Sequence, residues 1–220
     1  MQLQYWPLYT ANRLDLAETL VSYIMQNLEQ LHANAAAYSN ASGPVIGIGG
    51  ACPYNLMCPI GRLGNGRPMV GDGMWIVHNL HMHASRTSSV TMMRDTVYGF
   101  LKAAVNVYMQ SAFEANGTLH LPPSQSPEYP GQKCTCGDTN FDIALFRWGL
   151  TTAIELASRF DPEASQLPEW QRVLRQLTEG PSNEHGLMID NGTGFDIGHR
   201  HFSHLFSLYP LHLIADDPSK

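Results

Sequence analysis

Apolar residues recur at helical spacing along most of the chain, and segments rich in glycine, proline and polar residues separate the apolar runs. In residues 12–31 the apolar positions fall on one face of a helix, and the charged residues lie mostly off it. The same pattern predicts helices over residues 74–80, 90–113, 139–160 and 169–178, with Asp138 as the cap of the third of these. Because no run of alternating strand residues interrupts them, we predict an all-α fold, a toroid or bundle with its sites at loop ends.

Polar side chains are concentrated in residues 196–204, directly ahead of an apolar run. The cluster combines an acid, an arginine and three of the ten histidines: Asp196, His199, Arg200, His201 and His204. Neutral imidazole both donates and accepts hydrogen bonds, and arginine is a rigid fork of donors, so the set suits a polyol, a carboxylate or a metal ion. The apolar positions that follow favour a buried helix that breaks at Pro210. We interpret the cluster as the polar mouth of a site; the alternative is a hydrogen-bonded core network without a ligand.

A second candidate acid lies in a proline-rich segment, LPPSQSPEYP at residues 121–130. Its four prolines restrict the backbone around Glu128, which stands beside Tyr129. A general acid benefits from such a segment, because the chain holds the carboxyl group still and an apolar surrounding raises its pKa towards neutrality. The alternative is an ordinary solvated glutamate in a proline-rich loop.

An aromatic segment, YWPLY at residues 5–9, precedes the first predicted helix. Aromatic clusters most often belong to the core, but flat rings also stack on the apolar C–H faces of sugars. The core interpretation is favoured for Tyr5, and both interpretations stay open for Trp6.

Composition restricts the class of protein. Of the 220 residues 44% are hydrophobic, enough for a sizeable core, and a net charge of −6 without a block of Lys or Arg argues against nucleic-acid binding. The long uncharged stretch at residues 33–61 is broken by Gly, Pro, Asn and Ser, so it predicts a loop and not a membrane span. Met1 leads directly into QLQYWP, so no signal peptide is visible.

Four cysteines fall in two predicted loops: Cys52, Cys58, Cys134 and Cys136. No CxxC pair occurs, which argues against a zinc knuckle, and a disulfide between the two loops is compatible with the sequence. Three histidines in HxHxxH spacing, at 199, 201 and 204, leave a metal-dependent hydrolase as a further alternative, although no second cluster of cysteines or carboxylates accompanies them. We therefore predict neither a metal nor a cofactor.

Several stretches together resemble glycoside hydrolase family 95, the inverting α-L-fucosidases and α-L-galactosidases. GHRHFSHLFSLYP, at residues 198–210, is similar to the family's HRHxSHLxxLYP segment, and LPPSQSPEYP is similar to its PSxSPE segment. QYWPLYTANRLDL, at residues 4–16, resembles the family's NYWP start, and MWIVHNLHMH, at residues 74–83, is a looser match to its WxxxHLWxH helix. The order of the segments agrees, and the resemblance extends over nearly the whole chain.

The resemblance implies a fold, a substrate and a mechanism. The family's catalytic domain is an (α/α)6 toroid that β-domains normally flank, so residues 1–220, with about six or seven predicted helices, are expected to form part of one without those β-domains. The implied reaction is hydrolysis of terminal fucosyl or related L-sugar linkages in an oligosaccharide, in a single displacement with inversion. By motif, Glu128 is the general acid, and Asp196 is the candidate that activates water. Trp6, His199, Arg200, His201 and His204 are expected to bind the sugar, and the family suggests an extracellular or secretory location.

One departure from the family's pattern gives a second hypothesis. The Asn-x-Asn pair that helps family members to activate water falls ahead of Met1 when aligned, and Gln4 stands where the family has the asparagine next to the tyrosine. The alternative to an active glycosidase is therefore a catalytically inactive glycan-binding or scaffold remnant of the same fold.

Overall fold

The structure is a computed structural model that describes residues 2–29, 31, 71–127, 129, 131–132 and 136–214. A 3-10 turn at Gln2–Tyr5 leads into α1 (Trp6–Thr10), which is followed by α2 (Leu14–Gln26) and α3 (Asp72–Arg86). Next, α4 (Val90–Met92) passes through a π-helical turn at Met93–Val97 into α5 (Tyr98–Ser111). The last helices are α6 (Asn140–Phe160) and α7 (Leu167–Gln176). The predicted helices are therefore present, with their ends shifted by a few residues.

Two small antiparallel sheets interrupt the helices, so the fold is mostly helical and not all-α as predicted. One is the hairpin of β1 (Phe113–Ala115) and β2 (Thr118–His120), and the other pairs β3 (Ser182–Asn183) with β4 (Gly186–Leu187). Asn116 and Gly117 both have positive φ, 53° and 78°, which is the geometry that an Asn-Gly turn gives to a two-residue hairpin.

The core is built around α3, α5 and α6. Helix α3 packs against α2, α5 and α6, and α6 also packs against α5 and α7. All of residues 71–80 are buried, so the first half of α3 is surrounded on every side. Large side chains that are less than 2% exposed fill the space between the helices, among them Met74, Leu101, Tyr108, Phe141 and Phe146. This core holds the N-terminal end of α6 in place, and the candidate site lies there.

The cap of α6 is Thr139, not Asp138 as predicted. The Thr139 side chain accepts a hydrogen bond from the Asp142 N–H, which caps the helix, and its hydroxyl donates to the Asp142 carboxylate. Asp138 has a φ of 58°, and its carboxylate instead binds the His120 ring, at 2.7 Å, and the Leu121 N–H, also at 2.7 Å. Asp138, one residue before the cap, thus connects β2 to the start of α6.

The buried helix predicted to follow the histidine cluster is absent. The structure has a 3-10 turn at Ser203–Leu205 and then successive turns as far as a cis Tyr209–Pro210 peptide. Backbone bonds such as Phe206 N to Ser203 O, 3.2 Å, span three residues and not four. The prediction was wrong because Pro210 disfavours helical backbone at the preceding residue and leaves too short a segment to propagate a helix.

Candidate active site

Two loops meet at the N-terminal end of α6. We call residues 121–132 the proline loop and residues 194–204 the histidine loop. Asn140, the first residue of α6, donates its backbone N–H to the Ile189 carbonyl at 3.1 Å. Its side chain donates to the Pro181 and Met188 carbonyls, each at 2.7 Å. The start of α6 therefore anchors the segment from which the histidine loop emerges.

Tyr129 joins the proline loop to the histidine loop at one end. Its side chain is 2% exposed, and its ring stacks on Phe195 at 5.6 Å and meets the edge of His199 at 5.9 Å. The Tyr129 hydroxyl accepts a hydrogen bond from the Ile197 N–H at 3.0 Å and donates to the Gly194 carbonyl at 3.5 Å. Both the ring and the hydroxyl of this residue are thus bound to the histidine loop.

A serine pair joins the same two loops a second time. The hydroxyls of Ser126 and Ser203 are 2.6 Å apart, and both side chains are buried. Residues two positions before and one position after position 128 therefore contact the histidine loop. Glu128 itself lies outside the described residues.

A buried carboxylate fixes the proline loop from behind. Asp142 accepts hydrogen bonds from the hydroxyls of Ser124, Thr139 at 2.7 Å and Tyr108 at 3.1 Å, and from the Gly71 N–H. Burial raises the pKa of Asp142, and these donors oppose the rise because they favour the ionised form. One side chain thereby connects α5, α6, the proline loop and the start of α3.

Gln132 closes the proline loop on itself. Its amide nitrogen donates to the Ser124 carbonyl at 2.8 Å and to the Asp190 carboxylate at 2.7 Å, and its amide oxygen accepts from the Ser126 N–H at 3.1 Å. All four residues are buried. Because the buried polar groups are paired, the loop has a defined shape without regular secondary structure.

The polar residues of the histidine loop lie at different depths. Asp196 and Arg200 are exposed, and His199 and His201 are half-buried. The His201 N–H donates to Nδ1 of His199 at 3.2 Å, so a neutral His199 carries its proton on Nε2 and has a donor free to serve a ligand. The rings of these two histidines are 5.2 Å apart.

His204 is the buried member of the cluster. Its side chain is 5% exposed and stacks on Phe195 at a ring distance of 4.4 Å. Burial lowers the pKa of His204, which favours the neutral ring, and its buried Nδ1 has no hydrogen-bond partner among the described residues. Phe195 lies against both His204 and Tyr129, so these three rings form one block beneath the loop.

Trp6 lies in an aromatic cluster of the core. It is 9% exposed, its indole N–H donates to the Asn79 side chain at 3.0 Å, and its ring contacts Trp75 at 5.8 Å and Phe206 at 5.9 Å. An edge contact with the half-exposed ring of Tyr209, at 5.3 Å, connects the cluster to the surface. Trp6 thus contacts the segment that follows the histidine loop, at Phe206 and at Tyr209.

The structure brings together the predicted residues 196–204, connects them to both flanks of position 128, and places Trp6 in the adjoining core. The sequence analysis missed the groups that organise the site: the Tyr129 hydroxyl, the Ser126–Ser203 pair, Gln132 and the buried Asp142. Two of these carried a signal, because Ser126 and Ser203 are fixed positions of the two motifs. The histidine loop carries an exposed carboxylate together with imidazole and guanidinium donors, a set that suits binding to hydroxyl groups and acid–base chemistry.

Three further features bear on the predicted chemistry. Among the described residues, no group of three or more His, Cys, Asp or Glu side chains is arranged to hold a metal ion. In the same part of the chain, no helix combines the length and the apolar composition needed to span a membrane. Cys136 is disulfide-bonded. Because Cys52, Cys58 and Cys134 lie outside the described residues, the disulfide between the two loops stays a prediction.

Comparison with known proteins agrees with the motifs. No curated protein matches the chain. The family profile described as the glycosyl hydrolase family 95 catalytic domain matches residues 1–220. That family's catalytic domain hydrolyses glycosidic bonds and acts on carbohydrate. The match covers the full length of the sequence, and the chain therefore belongs to glycosyl hydrolase family 95.

Proposed function

We propose that this chain carries the catalytic site of an α-L-fucosidase-like glycosidase, which cleaves terminal fucosyl or related L-sugar linkages with inversion. In this mechanism a carboxylic acid protonates the leaving oxygen while a second carboxylate activates water on the opposite face of the sugar. Glu128 is the acid and Asp196 is the group that activates water. The observation that carries the proposal is the double contact of the proline loop with the histidine loop, at Ser126 and at Tyr129.

The double contact supports the role of Glu128 through the covalent chain. Consecutive Cα atoms are only about 3.8 Å apart, so a residue between two anchored neighbours cannot be far from the surface to which they are anchored. Pro127 on one side and Pro130 on the other restrict the backbone further. A general acid needs this constraint, since its proton must reach one oxygen of a bound substrate.

The environment of Asp196 supports its role as the opposite carboxylate. Its side chain is exposed, so water has access to it, and it lies on the loop that Tyr129 binds at both Gly194 and Ile197. Inversion requires about 6.5–9.5 Å between the two carboxyl groups, which leaves room for the attacking water. Two carboxylates on facing loops, rather than on one loop, suit this separation.

The remaining polar residues suit recognition of the sugar. His199 with a proton on Nε2, neutral His204 and the guanidinium of Arg200 offer donors, and His201 adds a second half-buried ring. We include Trp6 because its aromatic cluster supports these polar residues through Phe206 and Tyr209. The fold proposed with this function is part of an (α/α)6 toroid, with α3 as an inner helix because its first half is buried all round.

The test compares Glu128→Gln with the parent on two substrates. One is an oligosaccharide with a terminal α-L-fucosyl residue, whose leaving group needs protonation, and the other is α-L-fucosyl fluoride, whose leaving group does not. We expect kcat on the oligosaccharide to fall about 10³-fold or more, and kcat on the fluoride to fall far less. Glu163→Gln is the matched control, because Glu163 is exposed at the far end of α6.

Each outcome separates the proposal from its alternative. Equal loss on the two substrates would show that Glu128 is not the acid. Binding of the oligosaccharide by the parent, without release of sugar from either substrate, would instead identify a glycan-binding remnant.

A further inference from the structure

One hydroxyl group binds the chain on both sides of Asp196. The Tyr129 hydroxyl accepts from the N–H of residue 197, at 3.0 Å, and donates to the carbonyl of residue 194, at 3.5 Å. The two backbone groups enclose only Phe195 and Asp196. The ring of Phe195 stacks on the ring of the same tyrosine. Tyr129 therefore contacts three of the four residues from 194 to 197.

Backbone hydrogen bonds contribute little to holding this stretch in the described part of the chain. Between described residues, no backbone–backbone hydrogen bond involves residues 194–201, whereas the turns on either side have several. Ile197 is 49% exposed, and Asp196 and Gly198 are exposed as well. A loop with these properties opens easily unless side chains fix it. The Tyr129 hydroxyl can fix the loop because the tyrosine is itself held in the protein, with an exposure of only 2%.

We propose that Tyr129 is a positioning residue that holds Asp196 in its working position on the histidine loop. The inference rests on the proposed function, since it concerns the geometry of that reaction. One residue thus belongs to the segment of the acid and determines the backbone position of the opposite carboxylate. Tyr129 itself transfers no proton in this account; it acts only through the histidine loop.

The test is Tyr129→Phe, which removes the hydroxyl and keeps the ring that stacks on Phe195. We expect kcat to fall about 10- to 100-fold with KM nearly unchanged, because a displacement of about 1 Å in a reacting group costs up to 10² in rate. Since the hydroxyl binds the loop of Asp196, the loss is expected to be equal for a fucosylated oligosaccharide and for fucosyl fluoride. Glu128→Gln, in contrast, is expected to discriminate between these substrates.

Tyr98→Phe is the matched control. Tyr98 is 5% exposed, and its hydroxyl also makes a 3.5 Å hydrogen bond, to Asp161. Asp161 follows the C-terminal end of α6, about 30 Å along that helix from the proposed site. The control therefore removes the same atom from a buried tyrosine without touching either loop.

Amide hydrogen exchange gives a second measurement that does not depend on turnover. In Tyr129→Phe we expect faster exchange at residues 194–199 and unchanged exchange in α3 and α6, and neither change in Tyr98→Phe. If the parent is active, unchanged exchange at residues 194–199 or unchanged kcat in Tyr129→Phe overturns the inference and leaves the proposed function standing. A folded parent without turnover on either substrate overturns the proposed function, and the positioning role falls with it.

Discussion

The two loops of the site differ in how they are held, although they touch each other twice. The proline loop rests on buried, paired groups, among them Ser124, Ser126 and Gln132. The histidine loop exposes Asp196 and Ile197, and it is held through side chains of its neighbour. A rigid support thus carries one half of the proposed chemistry, and a segment without backbone–backbone hydrogen bonds between described residues carries the other half. We therefore expect substitutions behind the proline loop to act on stability, and those in the histidine loop to act on turnover.

The largest effect is expected from Asp142→Ala, which removes the support of the proline loop. The substitution leaves the buried hydroxyls of Tyr108, Ser124 and Thr139 without their acceptor. Because each unpaired buried group costs about 1–3 kcal/mol, we expect a loss of at least about 3 kcal/mol in the free energy of unfolding, measured by urea titration. Asp95→Ala is the control, since the Asp95–Arg94 pair is exposed and its loss is expected to leave the free energy of unfolding nearly unchanged. Similar losses in the two variants would contradict the comparison.

A buried histidine in α3, His78, predicts that the free energy of unfolding depends on pH. Burial, together with the positive charge of His81 and His212 when protonated, lowers the pKa of His78 from 6.5 to about 3. The unfolded chain therefore binds a proton below pH 6.5 that the folded chain binds only near pH 3, so stability falls as the pH drops through this window. The loss is roughly 2 kcal/mol at pH 5.

The measurement is the unfolding free energy at pH 7 and at pH 5 in the parent, in His78→Gln and in His185→Gln. We expect His78→Gln to lose less stability on acidification than the parent by roughly 2 kcal/mol. His185→Gln is expected to follow the parent, because the His185 side chain is 84% exposed. Parallel curves for all three proteins would show that His78 is not held neutral by its surroundings.

The smallest effect is expected from a substitution at Gly194, and we expect it on kcat alone. A methyl group at Gly194 would lie 2.9 Å from the Asp196 carboxylate, which must move, whereas a methyl group at Gly198 meets nothing within 4 Å. Since a carboxylate at the end of a flexible side chain moves easily, we expect Gly194→Ala to fold normally and to lose about tenfold in kcat. Gly198→Ala is expected to retain the parent's kcat. Equal kcat values in the two variants would contradict the assignment of Asp196 as the group that activates water.

The helices were predictable because their apolar spacing is long and regular. The cap of α6 was predicted one residue early, since both Asp138 and Thr139 are good capping residues and only the backbone, with a φ of 58° at Asp138, distinguishes them. The helix predicted before Pro210 failed because the segment ahead of this proline is too short to propagate a helix, which apolar periodicity alone does not show; the Ser203 hydroxyl is bonded to Ser126 in a distant loop. Local patterns determined the elements, and tertiary hydrogen bonds determined the irregular segments.

The residues of the proposed site could be selected from the sequence, but their arrangement could not. Motif positions gave Glu128 and residues 196–204, because acids and histidines stand out in a chain with 15% charged residues. Tyr129 and Asp142 gave no comparable signal. A tyrosine beside a proline and an acid in the first turn of a helix are common, and their roles depend on partners up to 71 positions away. Such long-range contacts leave no periodic trace in the sequence.

The most direct test of the central claim, that two carboxylates on facing loops cleave the sugar linkage in one displacement, is the configuration of the first sugar released. Proton NMR of a fucosylated oligosaccharide treated with the parent chain distinguishes the anomers before they interconvert. The account predicts that β-L-fucose appears first and that the α-anomer grows in later by mutarotation. Appearance of α-L-fucose first would indicate a double displacement and would contradict the account.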